Sequence, residues 1–238
     1  MNTSYSQTVG EVVAEDFRTA AIFDKYGIDF CCKGNTPVTE ACAKKNISVD
    51  EVIKDIHALK SSGSEQTTAY NSWSPDRLID HIEEKHHRYV AEKIPAILQF
   101  LNKLCNVHGG RHPELHEVFQ LFQASAGDLT QHMKKEELIL FPRIKNLASA
   151  SGEEVSITPG MVFSPIEMMM HEHDNEGERF RKIALLTNNY KVPSDGCTTY
   201  QVAYAMLREF EQDLHLHIHL ENNILFPMAI HMEKELVS

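Results

Sequence analysis

Two stretches of the chain each place a glutamate four residues after a histidine and end in the same three residues. They are "HMKKEELILFP" (132–142) and "HIHLENNILFP" (217–227), and they lie 85 residues apart. Residues four apart share one face of an α-helix, about 6 Å apart along its axis. Each stretch can therefore offer an imidazole nitrogen and a carboxylate to one metal ion. The repeat indicates an internal duplication and singles out His132 with Glu136, and His217 with Glu221.

The repeat also chooses between neighbouring candidates. Glu137 matches Asn222 in the second copy, so Glu136 is predicted to be the metal-binding acid and Glu137 is expected to matter little. The same comparison prefers His217 over the histidines two residues to either side.

Two further stretches, "IEEKHHRYV" and "MMMHEHDNEG", contain His87 and His173, which are 86 residues apart. With the repeat, histidines recur at positions 87, 132, 173 and 217, a period typical of the helices of an up-down four-helix bundle. His86 lies beside His87. The spacing favours His87, and the choice between the two stays open.

Four imidazoles and two carboxylates inside a bundle predict a binuclear metal site, in which each glutamate bridges both metals and two histidines cap each one. The set is too rich in nitrogen for Mg²⁺ or Ca²⁺, and it has no thiolate for a structural zinc site. We therefore expect two iron ions. The alternative is a structural helical protein whose histidines bind nothing. The other histidines, at 57, 81, 108, 112, 116 and 231, are expected to lie in solvent.

The elements that must position these residues are predicted to be helical. Residues 8–26 have apolar residues at helical spacing, and Gly27 is placed to cap a helix. A short helix follows Pro37, and Ser48 with Glu51 predicts another that ends near residue 60. Residues 61–72 are polar. We therefore expect a small helical domain (1–60), a linker (61–73) and a helical bundle (74–238).

Four long helices are predicted in the bundle. Apart from the alternating histidines at 215, 217 and 219, the chain shows no convincing strand pattern, so the fold class is predicted to be all-α. Pro142 and Pro227 are expected to end or kink their helices. The helices begin at Ser74-Pro75, run from Pro113 to about Leu147, run from Ser164-Pro165 to about Asn189, and run from Thr199 to Lys234.

Adjacent cysteines, Cys31 and Cys32, lie in a predicted turn. We expect them to be exposed thiols rather than a strained vicinal disulfide, with Lys33 favouring the thiolate. They could serve a target cluster, iron or the protein's own metal centre, or they could simply be small buried residues. The cysteines at 42, 105 and 197 fall within or at the ends of helices and show no such signal.

The composition excludes some functions. With 23 basic and 34 acidic residues the net charge is −11, which argues against a nucleic-acid partner. No uninterrupted apolar run is long enough to span a membrane, and the first residues lack the pattern of a secretory signal. Five cysteines would leave one over in a disulfide framework, so a reducing, cytoplasmic setting is expected.

Residues 74–234 resemble hemerythrin-like di-iron domains, and "HEHDNEGE" and "HLENNILFP" resemble their metal motifs. "GIDFCCKG" followed by "EACAKKNI" resembles the small N-terminal domain of the repair-of-iron-centres family. Members of that family are di-iron proteins that help restore iron–sulfur clusters damaged by nitric oxide or oxidants in bacteria. The resemblance implies the same six ligands, a hemerythrin-like four-helix bundle, and damaged iron–sulfur proteins as partners.

One departure separates the chain from oxygen-carrying hemerythrins, which have an extra histidine one turn from another. Here the corresponding neighbours of His173 are Met169 and Gly177. Open coordination positions suit nitric oxide or dioxygen binding, or iron release. The sequence does not choose between iron donation and nitric oxide reduction, so enzymatic activity stays open. A sensor or carrier of oxygen or nitric oxide is the alternative, and the oligomeric state, a homodimer included, is also open.

Overall fold

The computed structural model describes residues 6–61, 68–150 and 160–237. Within these ranges all regular structure is helical, apart from one antiparallel bridge between Thr8 and Pro37. The predicted all-α class is confirmed. Over the same ranges, no helix combines the length and the apolar character that crossing a membrane requires.

The N-terminal part contains four short helices: α1 (Val9–Glu15), α2 (Ala20–Lys25), α3 (Val38–Lys44) and α4 (Val49–Ser61). The prediction of one helix over residues 8–26 is wrong. The chain becomes extended at Asp16, whose side chain accepts hydrogen bonds from the backbone and side chain of Arg18 and starts a 3₁₀ turn. Local hydrogen bonding by an aspartate thus competes with the helix. Gly27 closes α2 at φ +64°, as predicted.

Four bundle helices follow, close to the predicted positions, and three contain a π-helical turn. The first of them packs on the second and the fourth, and the second packs on the third. Residues 62–67 of the predicted linker, and residues 151–159 between the second and third predicted bundle helices, lie outside the described residues. The first bundle helix comprises α5 (Pro75–His81), a π turn (Ile82–His87) and α6 (Arg88–His108); the second, α7 (Glu114–Lys135), a π turn (Glu136–Leu140) and α8 (Phe141–Ser149); the third, α9 (Phe163–Leu186); the fourth, α10 (Thr198–Leu220), a π turn (Glu221–Leu225) and α11 (Phe226–Val237).

Pro142 and Pro227 do not end their helices, contrary to one of the two predicted outcomes. Each is the second residue of the helix that follows a π turn. A proline has no N–H to donate and its ring crowds the preceding turn, so a widened turn just before it is an expected accommodation. Glu136 and Glu221 are the first residues of these two π turns.

Two apolar clusters occupy the bundle, and the predicted ligands lie between them along every bundle helix. One cluster contains Val90, Leu129, Phe180 and Leu214, and it continues into the N-terminal part through residues such as Phe23. The other cluster contains residues from the opposite side of the ligands: Leu78, Ile82, Phe141, Ile166, Leu225 and Phe226. The polar ligands therefore form one buried layer that is closed above and below by apolar packing.

Candidate metal centre

The six predicted metal-binding residues converge into two groups that share both glutamates. In each group one donor atom of every member lies within 4.8 Å of the others, and all six side chains are buried, at most 3% exposed. The first group is His87, Glu136, His217 and Glu221, and the second group is His132, Glu136, His173 and Glu221.

Each glutamate directs one oxygen at each group. Glu136 places Oε2 3.4 Å from Nε2 of His87 and Oε1 3.2 Å from Nε2 of His132. Glu221 places Oε1 3.1 Å from Nε2 of His217 and Oε2 3.2 Å from Nε2 of His173. This is the arrangement that two bridging carboxylates require.

Several buried nitrogen and oxygen atoms of these six side chains have no hydrogen-bond partner among the described residues. They include Nε2 of His87, both oxygens of Glu136 and Oε2 of Glu221. An unsatisfied buried polar atom costs about 1–3 kcal/mol, and more when it is charged. Imidazole nitrogens combined with carboxylate oxygens are the ligands of iron and similar borderline metals, so these residues fit a pair of such ions.

The two carboxyl groups are held in the ionised form. Burial acts to raise the pKa of Glu136, but the nearby His132 and His87 outweigh it and the pKa is lowered. Burial also acts to raise the pKa of Glu221, but the contacts with His217 and His173 outweigh it and bring the pKa well below the usual value. Ionised carboxylates are the form in which a metal is bound.

A second layer of side chains orients two of the histidines. Nδ1 of His87 lies 2.7 Å from Oε1 of Glu137, and Nδ1 of His173 lies 2.9 Å from Oδ1 of Asn222. An acceptor at Nδ1 keeps the proton there and leaves Nε2 free to bind a metal. The expectation that Glu137 matters little is therefore wrong. Glu137 and Asn222 occupy the same position of the repeat, and the shared side-chain oxygen was the available signal.

The remaining two histidines differ in their surroundings. Nδ1 of His132 lies 2.9 Å from Oε2 of Glu172, and the hydrogen bond with His132 is the main cause that lowers the pKa of Glu172 to about 2. Nδ1 of His217 has no hydrogen-bond partner among the described residues. Its ring stacks on that of His86, with 5.5 Å between centroids.

His86 joins neither group. Its Nδ1 lies 3.0 Å from Oδ1 of Asp213, and its ring stacks on that of His217. Of the two candidates, the structure brings His87 to the centre. The sequence offered no signal for the partner roles of Asp213 and Glu172, because each comes from a different bundle helix.

The two adjacent cysteines are buried, which corrects the expectation that they are exposed. Cys31 and Cys32 are 3% and 8% exposed, and their sulfur atoms lie 3.7 Å apart as free thiols. The hydrogen bond with Cys32 and burial raise the pKa of Cys31 well above its ordinary value. The ammonium group of Lys33 pairs with Asp174 at 2.7 Å.

Burial of the cysteines results from docking of the N-terminal part on the bundle. The thiol of Cys32 donates to the backbone carbonyl of His173 at 3.4 Å. Asn223 donates to the carbonyl of Cys31 at 3.1 Å, and Asn222 approaches the same oxygen at 3.5 Å. Asn222 therefore contacts both a histidine of the second group and the cysteine turn. An ion pair of 2.9 Å between Asp29 and Arg181 adds to this contact.

A cavity of about 210 Å³ opens beside the second group. His132, His173 and the acidic residues Asp128, Glu172 and Glu176 lie on its wall. Glu176 is buried and accepts hydrogen bonds from Ser125 and Arg179. The acidic residues at this opening are all paired, Glu172 with Lys135, and Asp128 and Glu176 with Arg179.

The other histidines follow the expectation only in part. His57, His116 and His231 are exposed, as expected. His108 is 5% exposed, and His81 and His112 are half-buried, so solvation was the wrong expectation for these three. Aromatic neighbours are the reason, since Trp73 packs on His81 and Tyr200 packs on both His108 and His112.

Two family models match the chain. One, described as the hemerythrin HHE cation binding domain, matches residues 78–229. The other, ScdA_N, is described as a domain of unknown function and matches residues 5–60.

Curated relatives match along nearly the whole chain. The "Probable iron-sulfur cluster repair protein" of Haemophilus influenzae is 35% identical over 94% of this chain and 96% of its own length. The iron-sulfur cluster repair protein YtfE of Pectobacterium atrosepticum is 32% identical over 95% and 98%, and ScdA of Staphylococcus haemolyticus is 30% identical over 92% and 95%. The two family matches occur in the order that the cysteine turn and the histidine layer predict. The chain belongs to the family of iron–sulfur cluster repair proteins that carry a hemerythrin HHE cation-binding domain.

Proposed function

We propose that this protein repairs iron–sulfur clusters damaged by nitrosative or oxidative stress, with a centre of two iron ions. The observation that carries the proposal is the pair of buried glutamates that each direct one oxygen at each group. Bound iron would supply positions for a small ligand such as nitric oxide or dioxygen, or would itself be given up to a damaged cluster. The proposed ligands are His87, His132, Glu136, His173, His217 and Glu221.

The surrounding residues have two tasks in this proposal. Glu137, Asn222 and Glu172 hold three of the imidazoles in the orientation and tautomer that a metal needs. The apolar clusters above and below exclude water from the ligand layer. Exclusion of water strengthens each charged contact within the layer.

Iron donation is the mode that the cavity beside the second group favours. Its wall includes His132 and His173, so the cavity gives iron held by these two residues a path to the surroundings. In this mode iron is the cargo, and damaged iron–sulfur proteins are the recipients. Nitric oxide chemistry at the same centre is the second mode, and the Cys32 thiol on the His173 carbonyl places a redox-active group next to it.

Repair is favoured over an oxygen or nitric oxide sensor or carrier by the relatives' names and by the docked cysteine turn. We propose Cys31 and Cys32 as functional thiols that act when the turn leaves the bundle. A cytoplasmic setting fits the five free thiols. We further propose two domains, at 1–60 and 74–238, which limited proteolysis tests. We also propose a homodimer, which light scattering tests.

Metal analysis of the protein, purified after expression in iron-rich medium, is the direct test of the centre. We expect two irons per chain. A content near zero, or zinc in place of iron, would contradict the proposed centre.

Transfer of labelled iron to an apo iron–sulfur protein tests the donation mode. We expect transfer faster than that from an equal concentration of free iron. The double variant Cys31→Ala/Cys32→Ala is expected to keep its iron content and to restore clusters more slowly. Transfer no faster than from free iron would leave nitric oxide consumption, measured without oxygen and with an electron donor, as the surviving mode.

A further inference from the structure

A thiol and a histidine meet at the opposite end of the bundle from the metal centre. Cys197 precedes the first residue of α10 and is exposed. Its Sγ lies 3.3 Å from Nε2 of His108, the last residue of α6. His108 is 21 residues along the helix from His87, which corresponds to about 30 Å at 1.5 Å per residue. The pair is therefore separate from the proposed iron site.

The environment of His108 is not that of an ordinary core histidine. Only 5% of His108 is exposed, and its Nδ1 has no hydrogen-bond partner in the described ranges. The ring lies edge-on to Tyr200, with 5.4 Å between centroids, and this packing aims Nε2 at the surface thiol. A nucleophile within hydrogen-bond reach of a base that a third group orients is the arrangement of an activated thiol.

The position of Cys197 also favours the thiolate. It caps a helix of 23 residues, whose N-terminal end stabilises a negative charge. The hydrogen bond with His108, followed by backbone N–H groups of Tyr200 and Thr199, lowers the pKa of Cys197 to about 7. The sequence prediction that Cys197 carries no sign of reactivity is thus corrected.

Charges near the pair largely cancel. His112 lies between Asp195 at 3.0 Å and Glu114 at 3.1 Å, and Arg111 lies 3.5 Å from Asp195. These groups come from the connection after α6, the start of α7 and the connection before α10. His108 is therefore the group that sets the ionisation of the thiol.

The other four cysteines lack this combination. Cys31, Cys32, Cys42 and Cys105 are all buried. Burial raises the pKa of Cys42 and Cys105, which keeps both as neutral thiols. Of the five thiols in the chain, Cys197 alone combines exposure with a neighbouring base.

We propose that Cys197, with His108 as its base, is a modification site that forms a mixed disulfide with a low-molecular-weight disulfide. The Cys197 thiol gives its proton to Nε2 of His108, and Sγ attacks one sulfur of the small disulfide. The new bond joins Sγ to that sulfur, and the bond between the two sulfurs of the small molecule breaks. The departing thiolate takes the proton from His108 and leaves as a thiol.

The test uses the full-length, iron-loaded protein with oxidised glutathione and, for kinetics, the neutral dithiodipyridine. We expect one glutathione adduct by intact mass, mapped to Cys197, and a rate of the fast dithiodipyridine phase that rises with pH with a midpoint near 7. Cys197→Ser should abolish the fast phase and keep the iron content. Cys105→Ser is the control that should leave the fast phase unchanged.

His108→Gln should move the midpoint toward the ordinary cysteine value of about 8.5 and slow the reaction at pH 6 about tenfold. Its melting curve shows whether it folds, and if it does not, the wild-type pH profile decides. A wild-type midpoint at or above 8.5, or a first adduct at any other cysteine, overturns the proposal. A folded His108→Gln variant with an unchanged midpoint overturns the role of His108.

Discussion

The two metal-binding groups are related by the duplication, and one neighbouring residue makes a different contact in each group. His87 corresponds to His173 and His132 to His217, at spacings of 86 and 85 residues. The residues that hold His87 and His173, Glu137 and Asn222, also correspond. The residue just before His87 differs in type from the residue just before His173. It is Glu172 in the second group, which holds His132, and His86 in the first, which stacks on His217.

This difference makes one group closed and the other accessible. In the first group the His86 ring covers His217. A phenylalanine stacks on a histidine in both groups, Phe141 on His87 at 5.7 Å and Phe226 on His173 at 6.0 Å. The second group borders the cavity of about 210 Å³ and contacts the docked cysteine turn. The predicted ligands are thus preserved in both copies, while the residues beside them differ so that the second group borders the cavity.

Removing a shared ligand breaks the comparison completely and has the largest expected effect. Glu136→Ala takes one oxygen from each group, so iron content should fall from two per chain to near zero, as measured by elemental analysis. Glu167→Ala, an exposed glutamate of α9, is the matched control and should keep both irons. Retention of one iron in Glu136→Ala would show that this glutamate serves a single group.

Loosening the cysteine turn tests how tightly it is docked beside the second group. A Cβ at position 34 would lie 2.2 Å from Oδ1 of Asn223 and 2.6 Å from the carbonyl oxygen of Phe30. Gly34→Ala should therefore lower the free energy of unfolding by about 2 kcal/mol in urea titrations, as overpacking does. Gly110→Ala meets no neighbour within 4 Å and should change it little. Equal stability of the two variants would show that the turn is not tightly docked.

The partners of Nδ1 sharpen the comparison further. Asn222→Ala and Glu137→Ala should each weaken metal binding about tenfold, measured by competition with a chelator. Asn222→Ala should also expose the cysteines to a thiol reagent, because it removes a contact with Cys31. Glu137→Gln keeps an acceptor oxygen and should bind metal nearly as the wild type does. Exposed cysteines in Glu137→Ala would show that docking does not distinguish the groups.

The smallest expected effect is a pH dependence of docking. Burial raises the pKa of Glu211 to about 7, and the charge of Asp24 adds to this shift; burial likewise raises the pKa of Asp24 to about 6, with a further contribution from the charge of Asp29. Their pKa values in the folded state lie above those in the unfolded state, so stability should fall as pH rises from about 4 to 7. Glu211→Gln should gain about 1 kcal/mol at pH 8 and nothing at pH 4, by urea unfolding. The exposed Glu209→Gln is the control, and an equal gain in both variants would contradict the assignment.

The ligands could be predicted because the duplication supplied an internal comparison. His132 and His217 stood out only when the two copies were aligned. The partners Glu172 and Asp213 could not be predicted, since they reach their histidines from other helices and no local spacing marks them. Burial of Cys31 had the same cause, because it depends on docking against α9 and α10 rather than on the turn itself.

The break at Asp16 was missed for a different reason. The apolar spacing over residues 8–26 continues past the aspartate, whereas the competing hydrogen bonds of its carboxylate leave no trace in that spacing. A local side-chain cap overrode a regular pattern.

The π-helical turns give the bundle a tolerance to changes in length. Deleting one residue from the turn Glu136–Leu140 would convert it to an α-turn and leave α8 close to its present orientation, because a π turn holds one extra residue between two α-helical segments. The same deletion in the middle of α7 would instead carry the ligands to another face. The widened turn thus acts as a buffer in the helical register, where a change in length by one residue is absorbed without moving the metal layer.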